Sequence, residues 1–475
     1  MRLRRGQRAA LAAAIALALA GCGRDAPPIG QVGAIAGFIG GAATDEPNAT
    51  VVALDVLSAG GNAVDAAVAG FFALTVTYPV GAGLGGGGAC VVYDTKTNEA
   101  QTAEFLAGRP AAEGPYAIPG AVRGLATMHA RYGRLAWSAL VAPAEKLARF
   151  GHPMSRALAS QLQLADAAGL LTAATRAPFQ RPDGSLKAEG DKVERLDLAG
   201  TLGSIRAQGA GALYGGPLGH ALVEAAKAVG SNMGMDDLRA YRPVQRATRS
   251  IEFGNEKAHT ALPPPLGGAV LYDLLEGLRS RGIREDPARL LAATAKAYGG
   301  ASVDAAAALS ADAALAAGDR EGGAVACGFT MGKPFGAGVI AQSVGVPLAP
   351  VAGREEALLA PLVLANHNVN QGFMAVAASG GWAAPIAAAL VGLALAQDGG
   401  ELTDAVAAPR AVRLTPEGPV HREEGWRGGG GGALPPAPIG RVQAIWCPAG
   451  LVRGQRGCRF ASDPRGHGLA GGQVR

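Results

Sequence analysis

The chain has 475 residues, 49% of them apolar, enough for a sizeable core and against global disorder. Its formal charge of +5 leaves no broad footprint for nucleic acid. Arg2, Arg4, Arg5 and Arg8 account for four of the five charges, and all lie in Met1–Gly21.

Met1–Gly21 has the form of an export signal. A basic start precedes the apolar run Ala9–Ala20, which is too short to cross a bilayer as a helix. The segment runs into "LAGC", Leu19–Cys22, which resembles the lipobox of bacterial lipoproteins. Cys22 is the expected lipid-bearing first residue of the mature chain, anchoring it to a bacterial membrane and facing the periplasm. Gly23 follows, with no aspartate retention signal, which points to the outer membrane. An uncleaved anchor or plain secretion is the alternative. Residues 22–45 are rich in Pro and Gly and read as a flexible tether.

"NATVVALDVLSAGGNAVDAAVAGFFALTV" carries helical apolar spacing interrupted at Gly60 and Gly61, with Asn62 or Asp65 starting the second helix. "ACVVYDTKTNEAQTAEF" alternates around a turn at Lys96–Asn98 and predicts a hairpin. "GAVRGLATMHARYGRL" and "SALVAPAEKLARFG" predict helices, each closed by glycine. Strand is predicted around Phe253, helix over "GGAVLYDLLEGLRSRG", and strand over "GGAVACGFTM" and "PLVLANHNVNQGFMAVAAS". "AAPIAAALVGLALAQ" predicts a buried helix and "RVQAIWC" a late strand; Gly428–Gly432 with Pro435, Pro436 and Pro438 reads as a loop. The order suggests stacked sheets covered by helices.

Export places the remaining cysteines in an oxidising compartment. Cys447 and Cys458 flank a glycine-containing loop and are expected to form a disulfide. Cys90 and Cys327 lie in apolar runs and are expected as buried small side chains. The seven histidines are scattered, with no cluster at metal-ligand spacing, so neither a metal nor a cofactor is expected. "VGAGLGGGG" places Gly81, Gly83 and Gly86 at dinucleotide-loop spacing, but "ACVVYD" follows as strand where a phosphate loop needs a helix. A bend where backbones pass closely is the better reading.

"GGNAVDAAVA", "GAGLGGGGACVVYD" and "IPGAVRGLATMHARYG" resemble the gamma-glutamyltransferases (gamma-glutamyltranspeptidases). The likeness continues, in order, through "WSALVAPAEKLARFGHPMS", "GALYGGPLGHALVEAA", "MDDLRAYRPV", "LPPPLGGAVLYDLL", "DREGGAVACGFTMGKPFGAG", "ASGG" and "DPRGHGLAGG". The resemblance implies an α+β fold, the N-terminal-nucleophile hydrolase four-layer αββα sandwich. It also implies self-cleavage into a large and a small subunit, here 46–311 and 312–475 of one domain. The threonine freed at the cut then attacks the gamma-glutamyl amide of a glutathione-type small molecule or peptide.

By that resemblance the oxyanion glycines fall on Gly380 and Gly381, and the threonine that bonds the nucleophile falls on Thr330. An ordinary Gly-Gly turn and a β-branched strand residue are the plain alternatives. The nucleophile's place, counted back from the turn aspartate Asp319, is Asp312, or Ala313 with a shift of one. Neither carries a hydroxyl; Ser310 is the nearest substitute. The substrate-carboxylate arginine is replaced by Leu106, with Arg109 three residues along, and Gly332 stands where the family has asparagine. "VPLAPVAG" replaces the stretch that holds the substrate amine.

Two readings follow: a divergent gamma-glutamyltransferase whose nucleophile is not visible, or an inactive, lipid-anchored binding or scaffold relative that stays one chain. A third rests on "AASGG", close to a G-x-S-x-G elbow. It would make Ser379 a serine-hydrolase nucleophile with Asp404 and His421 or His467.

Overall fold

The computed structural model describes residues 38–262, 266–279, 286–299, 311–351, 357–426, 439–452 and 457–474. The leader, Cys22, most of the tether, Ser310 and the Gly428–Pro438 loop lie outside these residues.

Two antiparallel sheets stack face to face. The first has seven strands. In chain order these are β1 (Phe38–Thr44), β2 (Gly87–Asp94), β3 (Glu99–Glu104), β4 (Val244–Ala247), β7 (Asp312–Asp319), β8 (Ala324–Thr330) and β13 (Leu469–Val474). Their spatial order is β13-β1-β7-β8-β2-β3-β4. The second sheet contains β5 (Arg249–Phe253), β6 (Glu256–Thr260), β9 (Leu362–Asn366), β10 (Gln371–Ser379), β11 (Arg441–Trp446) and β12 (Arg459–Ser462), in the spatial order β12-β11-β10-β9-β6-β5. Strand β1 corrects the reading of 22–45 as tether throughout. Phe38–Thr44 is buried strand, paired with both β7 and β13.

The layer between the sheets is built largely of alanine: Ala314 and Ala316 from β7, Ala324 and Ala326 from β8, and Ala375 and Ala377 from β10. Side chains alternate across a strand. On β7, Ala313, Leu315 and Ala317 therefore turn to the opposite face and join the helix-side core. An alanine run has poor strand propensity on its own. Here its small side chains fit between two close sheets.

Helices α1 (Pro47–Ser58), α2 (Ala63–Thr77), α3 (Ala121–Tyr132), α4 (Trp137–Phe150) and α5 (Leu196–Gln208) belong to the cover of the first sheet. Helices α6 (Leu266–Leu278), α7 (Pro287–Tyr298) and α8 (Ala384–Ala396) cover the second. The result is the expected four-layer αββα sandwich. Helix α2 is buried on every side, as its uniformly apolar sequence requires. It opens with a capping box: Asn62 Oδ1 accepts from Asp65 N at 2.9 Å, and Asp65 Oδ2 from Asn62 N at 3.1 Å. Residues on both sides of position 311 supply strands to each sheet.

Two disulfides tie the fold. Cys447 and Cys458 are joined at the end of β11, and Cys90 is joined to Cys327 across the β2–β8 pair. The second bond corrects the expectation of two free buried thiols. The two cysteines are 237 residues apart but directly opposite in register.

Candidate active site

Strand β7 begins at Asp312, which lies opposite Thr330, the last residue of β8. The Thr330 hydroxyl donates to Ala311 O at 3.4 Å and accepts from Gly332 N at 3.0 Å. Met331 N also donates to Ala311 O, at 3.0 Å. The peptide carbonyl just before Asp312 is therefore held by two donors.

The second sheet brings Gly380 and Gly381 to the same place. Both are left-handed, with φ of 127° and 56°, and a Cβ on Gly380 would press against the Gly440 backbone. The turn they form aims Gly381 N at Asp312, whose Oδ2 accepts the bond at 2.9 Å. Thr330, Gly380, Gly381 and Asp312, separated in sequence, thus converge. Ala313 faces away into the helix-side core.

The glycine-rich "VGAGLGGGG" lies against this point. A Cβ on Gly81 would run into the Asp312 backbone, and one on Gly86 into the Thr330 carbonyl. No helix follows; β2 does. This is the close backbone approach expected from sequence, with none of the geometry of a phosphate loop.

Beneath Asp312 lies a buried polar network that the sequence reading missed. Asp45, directly after β1, accepts from Ala314 N at 2.7 Å and from Gln443 Nε2 at 2.8 Å. Arg441 Nε stands 3.8 Å from Asp45 Oδ1 and donates to Ser379 Oγ at 3.2 Å. Burial raises the Asp45 carboxyl above its usual range, against the pull of Arg441. Burial opposes the Arg441 charge, but Tyr78, Asp45, Asp312 and Asp463 around it outweigh that and hold its pKa above the ordinary value. These residues fix the start of β7 to both sheets. The sequence clue was slight: Asp45 follows a short run that was absorbed into the tether, and its partners are almost 400 positions away.

At the other end of β7, Asp319 organises the turn to β8. Its Oδ1 accepts from Glu321 N at 3.0 Å and Gly323 N at 2.9 Å, and its Oδ2 from Ala63 N, at the start of α2, at 2.9 Å. Burial outweighs these donors and pushes its pKa up to about 6.

Leu106 is buried against Ala89 and Leu359, so the place expected for a carboxylate clamp is apolar. Arg109 is exposed. Ser379 corrects the serine-hydrolase reading. It is fully buried at the end of β10, and its hydroxyl is bonded to Asp45 and Arg441. Asp404 lies on the short helix Leu402–Ala407, and the His421 ring packs on Trp382. Among the described residues no histidine bonds Ser379, and no cluster of three or more His, Cys, Asp or Glu could hold a metal.

A protein-family model described as gamma-glutamyltranspeptidase matches residues 49–298, just over half of the chain. Glutathione hydrolase 3 of Arabidopsis thaliana is 32% identical over 249 residues, covering 49% of this chain and 39% of the relative. The glutathione hydrolase proenzyme of Bacillus subtilis is 31% identical over 256 residues, covering 49% and 43%. The chain thus spans less than half the length of these curated relatives. Among solved structures, the cephalosporin acylase of Bacillus halodurans shares the fold, with a TM-score of 0.73, 20% identity, and coverage of 94% of this chain and 98% of that one.

Proposed function

The chain belongs to the gamma-glutamyltranspeptidase family, and from that premise we propose that it is a member that stays uncleaved. On this reading it does not turn over gamma-glutamyl amides and acts as an exported, lipid-anchored binding protein. The observation that carries the reading is Asp312. It stands at the strand start where the family resemblance places the threonine, and its carboxyl oxygen takes the N–H of Gly381 at 2.9 Å.

Self-cleavage in this family type needs a hydroxyl on the residue after the cut, to attack the preceding carbonyl, and the same group is the later nucleophile. Asp312 offers no hydroxyl. Its oxygen also occupies a donor that a tetrahedral oxyanion would need, so substrate would compete with the protein's own side chain. The apolar setting of Leu106 removes the arginine that would orient a substrate carboxylate. A retained pocket of the family could still bind a gamma-glutamyl small molecule or peptide without reacting.

Export and anchoring rest on the leader and Cys22, and two disulfides favour an oxidising compartment such as the periplasm. The test is a denaturing gel of the purified chain beside an assay with a gamma-glutamyl anilide. One band and no turnover are expected. Two bands with turnover would replace this reading with the family's hydrolysis and transfer, carried by a nucleophile such as Ser310.

A further inference from the structure

Beside the start of α5, the surface opens into a cavity of about 320 Å³. That volume lies at the lower end of the range for small-molecule sites. Leu196 and Leu198 of α5, Ile340 and Ala174 supply apolar wall, Arg195 supplies a cation, and the exposed carboxylates of Glu194 and Asp197 also border the opening. Arg195 and Ile340 also border a narrow inner recess with Phe179 and Phe335.

Arg195 sets the chemistry of this place. It is only 7% exposed. Its guanidinium has one hydrogen bond among the described residues, from Nη2 to Gly345 O at 3.1 Å. A guanidinium has five N–H donors, so most of its capacity is unmatched by this bond. Asp197, exposed two residues on, acts on it electrostatically without forming an ion pair. Burial lowers its pKa to about 10, which leaves it charged at neutral pH. A buried cation without a carboxylate partner is costly in a closed interior. Beside an open cavity, the same arrangement is ready to receive an anion.

The neighbouring rim charges do not meet this need. Lys192 and Glu194 pair with each other, and Lys187 Nζ reaches Pro178 O at 3.4 Å. Leu196, at the mouth, is 63% exposed although it opens a helix. Apolar surface and an under-satisfied guanidinium therefore stand side by side. A single planar guanidinium suits a planar monoanion, whereas phosphate recognition usually gathers several donors.

We propose that this cavity binds a small carboxylate with an apolar body, its head on Arg195 and its chain against Leu196 and Ile340. None of the residues converging at Asp312 lines it, so the site stands whether or not the chain is catalytically competent.

Calorimetric titration of the full chain tests this with hexanoate, its uncharged counterpart hexanamide, and inorganic phosphate. Saturable hexanoate binding is expected, with hexanamide and phosphate at least tenfold weaker. Ala174→Trp, which places a ring at the exposed mouth, should abolish hexanoate binding. Arg195→Lys, which keeps charge but loses the fork, should weaken it at least tenfold; thermal melts establish that each variant is folded. No hexanoate binding, equal binding of hexanoate and hexanamide, or undiminished binding by either folded variant overturns the proposal. Tighter binding of phosphate than of hexanoate also overturns it, in favour of a bare-anion site. If Arg195→Lys does not fold, the hexanamide comparison and Ala174→Trp decide the outcome.

Discussion

The two ends of strand β7 carry the same residue type in opposite circumstances. Asp319 closes the strand in a turn that the family resemblance predicts, and three backbone N–H groups converge on it. Asp312 opens the strand where that resemblance expects a threonine, and its carboxyl takes the N–H of Gly381, in the turn that leaves the other sheet, and faces the Arg441 charge. Eight residues thus hold both the family's scaffold and the departure from its chemistry. Scaffold positions answer to packing and hydrogen bonding, which every folded chain needs. A nucleophile answers only to the reaction.

The contrast predicts unequal costs. Asp319→Ala leaves three N–H groups without their acceptor and should destabilise the chain by about 3 kcal/mol in denaturant unfolding. A cost under about 1 kcal/mol would mean that the turn is held by the strands alone.

The same residue gives the strand a pH dependence. Its folded pKa of about 6 lies above the ordinary carboxyl value. The stability linked to its protonated form is fully present below about pH 4 and is lost as pH rises through 6. The advantage of wild type over Asp319→Asn should therefore shrink by about 2–3 kcal/mol between pH 4 and pH 7.5. A flat difference would show that the N–H donors balance burial, and an advantage that grows with pH would show that they outweigh it. Asp312→Ala, which removes the acceptor of Gly381 N–H and one of the carboxylates around Arg441, should cost about 1–2 kcal/mol. A cost as large as that of Asp319→Ala would abolish the contrast and make Asp312 a structural residue of the same rank.

The layered fold was legible because its signals are local or collinear. Gly60 and Gly61 break two helices, Lys96–Asn98 turns a hairpin, and ordered blocks place most elements within a few residues. The site was only half legible. Thr330, Gly380 and Gly381 stand on motifs, so their convergence could be expected. Asp45, Arg441 and Gln443 meet only after two sheets stack, and no periodicity records a contact made across 398 positions. The Cys90–Cys327 bond was hidden for the same reason: each cysteine looks like an ordinary strand residue until antiparallel pairing sets them opposite each other. The alanines of β7 read as chemically blank because their role, filling the narrow space between sheets, belongs to tertiary packing.

Asp312→Thr probes the difference between scaffold and chemistry with the smallest expected change in stability, below about 1 kcal/mol at one strand end. The Ala311 carbonyl already accepts from Met331 N and the Thr330 hydroxyl, so a hydroxyl at 312 would face a polarised peptide bond. Removing the carboxyl also frees Gly381 N–H. Slow self-cleavage into two bands is therefore expected from this single change. Gamma-glutamyl anilide turnover is not, because Leu106 remains packed on Ala89 and Leu359 with no guanidinium to hold the substrate carboxylate. Cleavage without turnover would show self-cleavage and substrate turnover to be separable steps. A single intact band would mean that the geometry for cleavage has decayed beyond residue 312, and that the likeness of the strand's two ends is confined to the backbone.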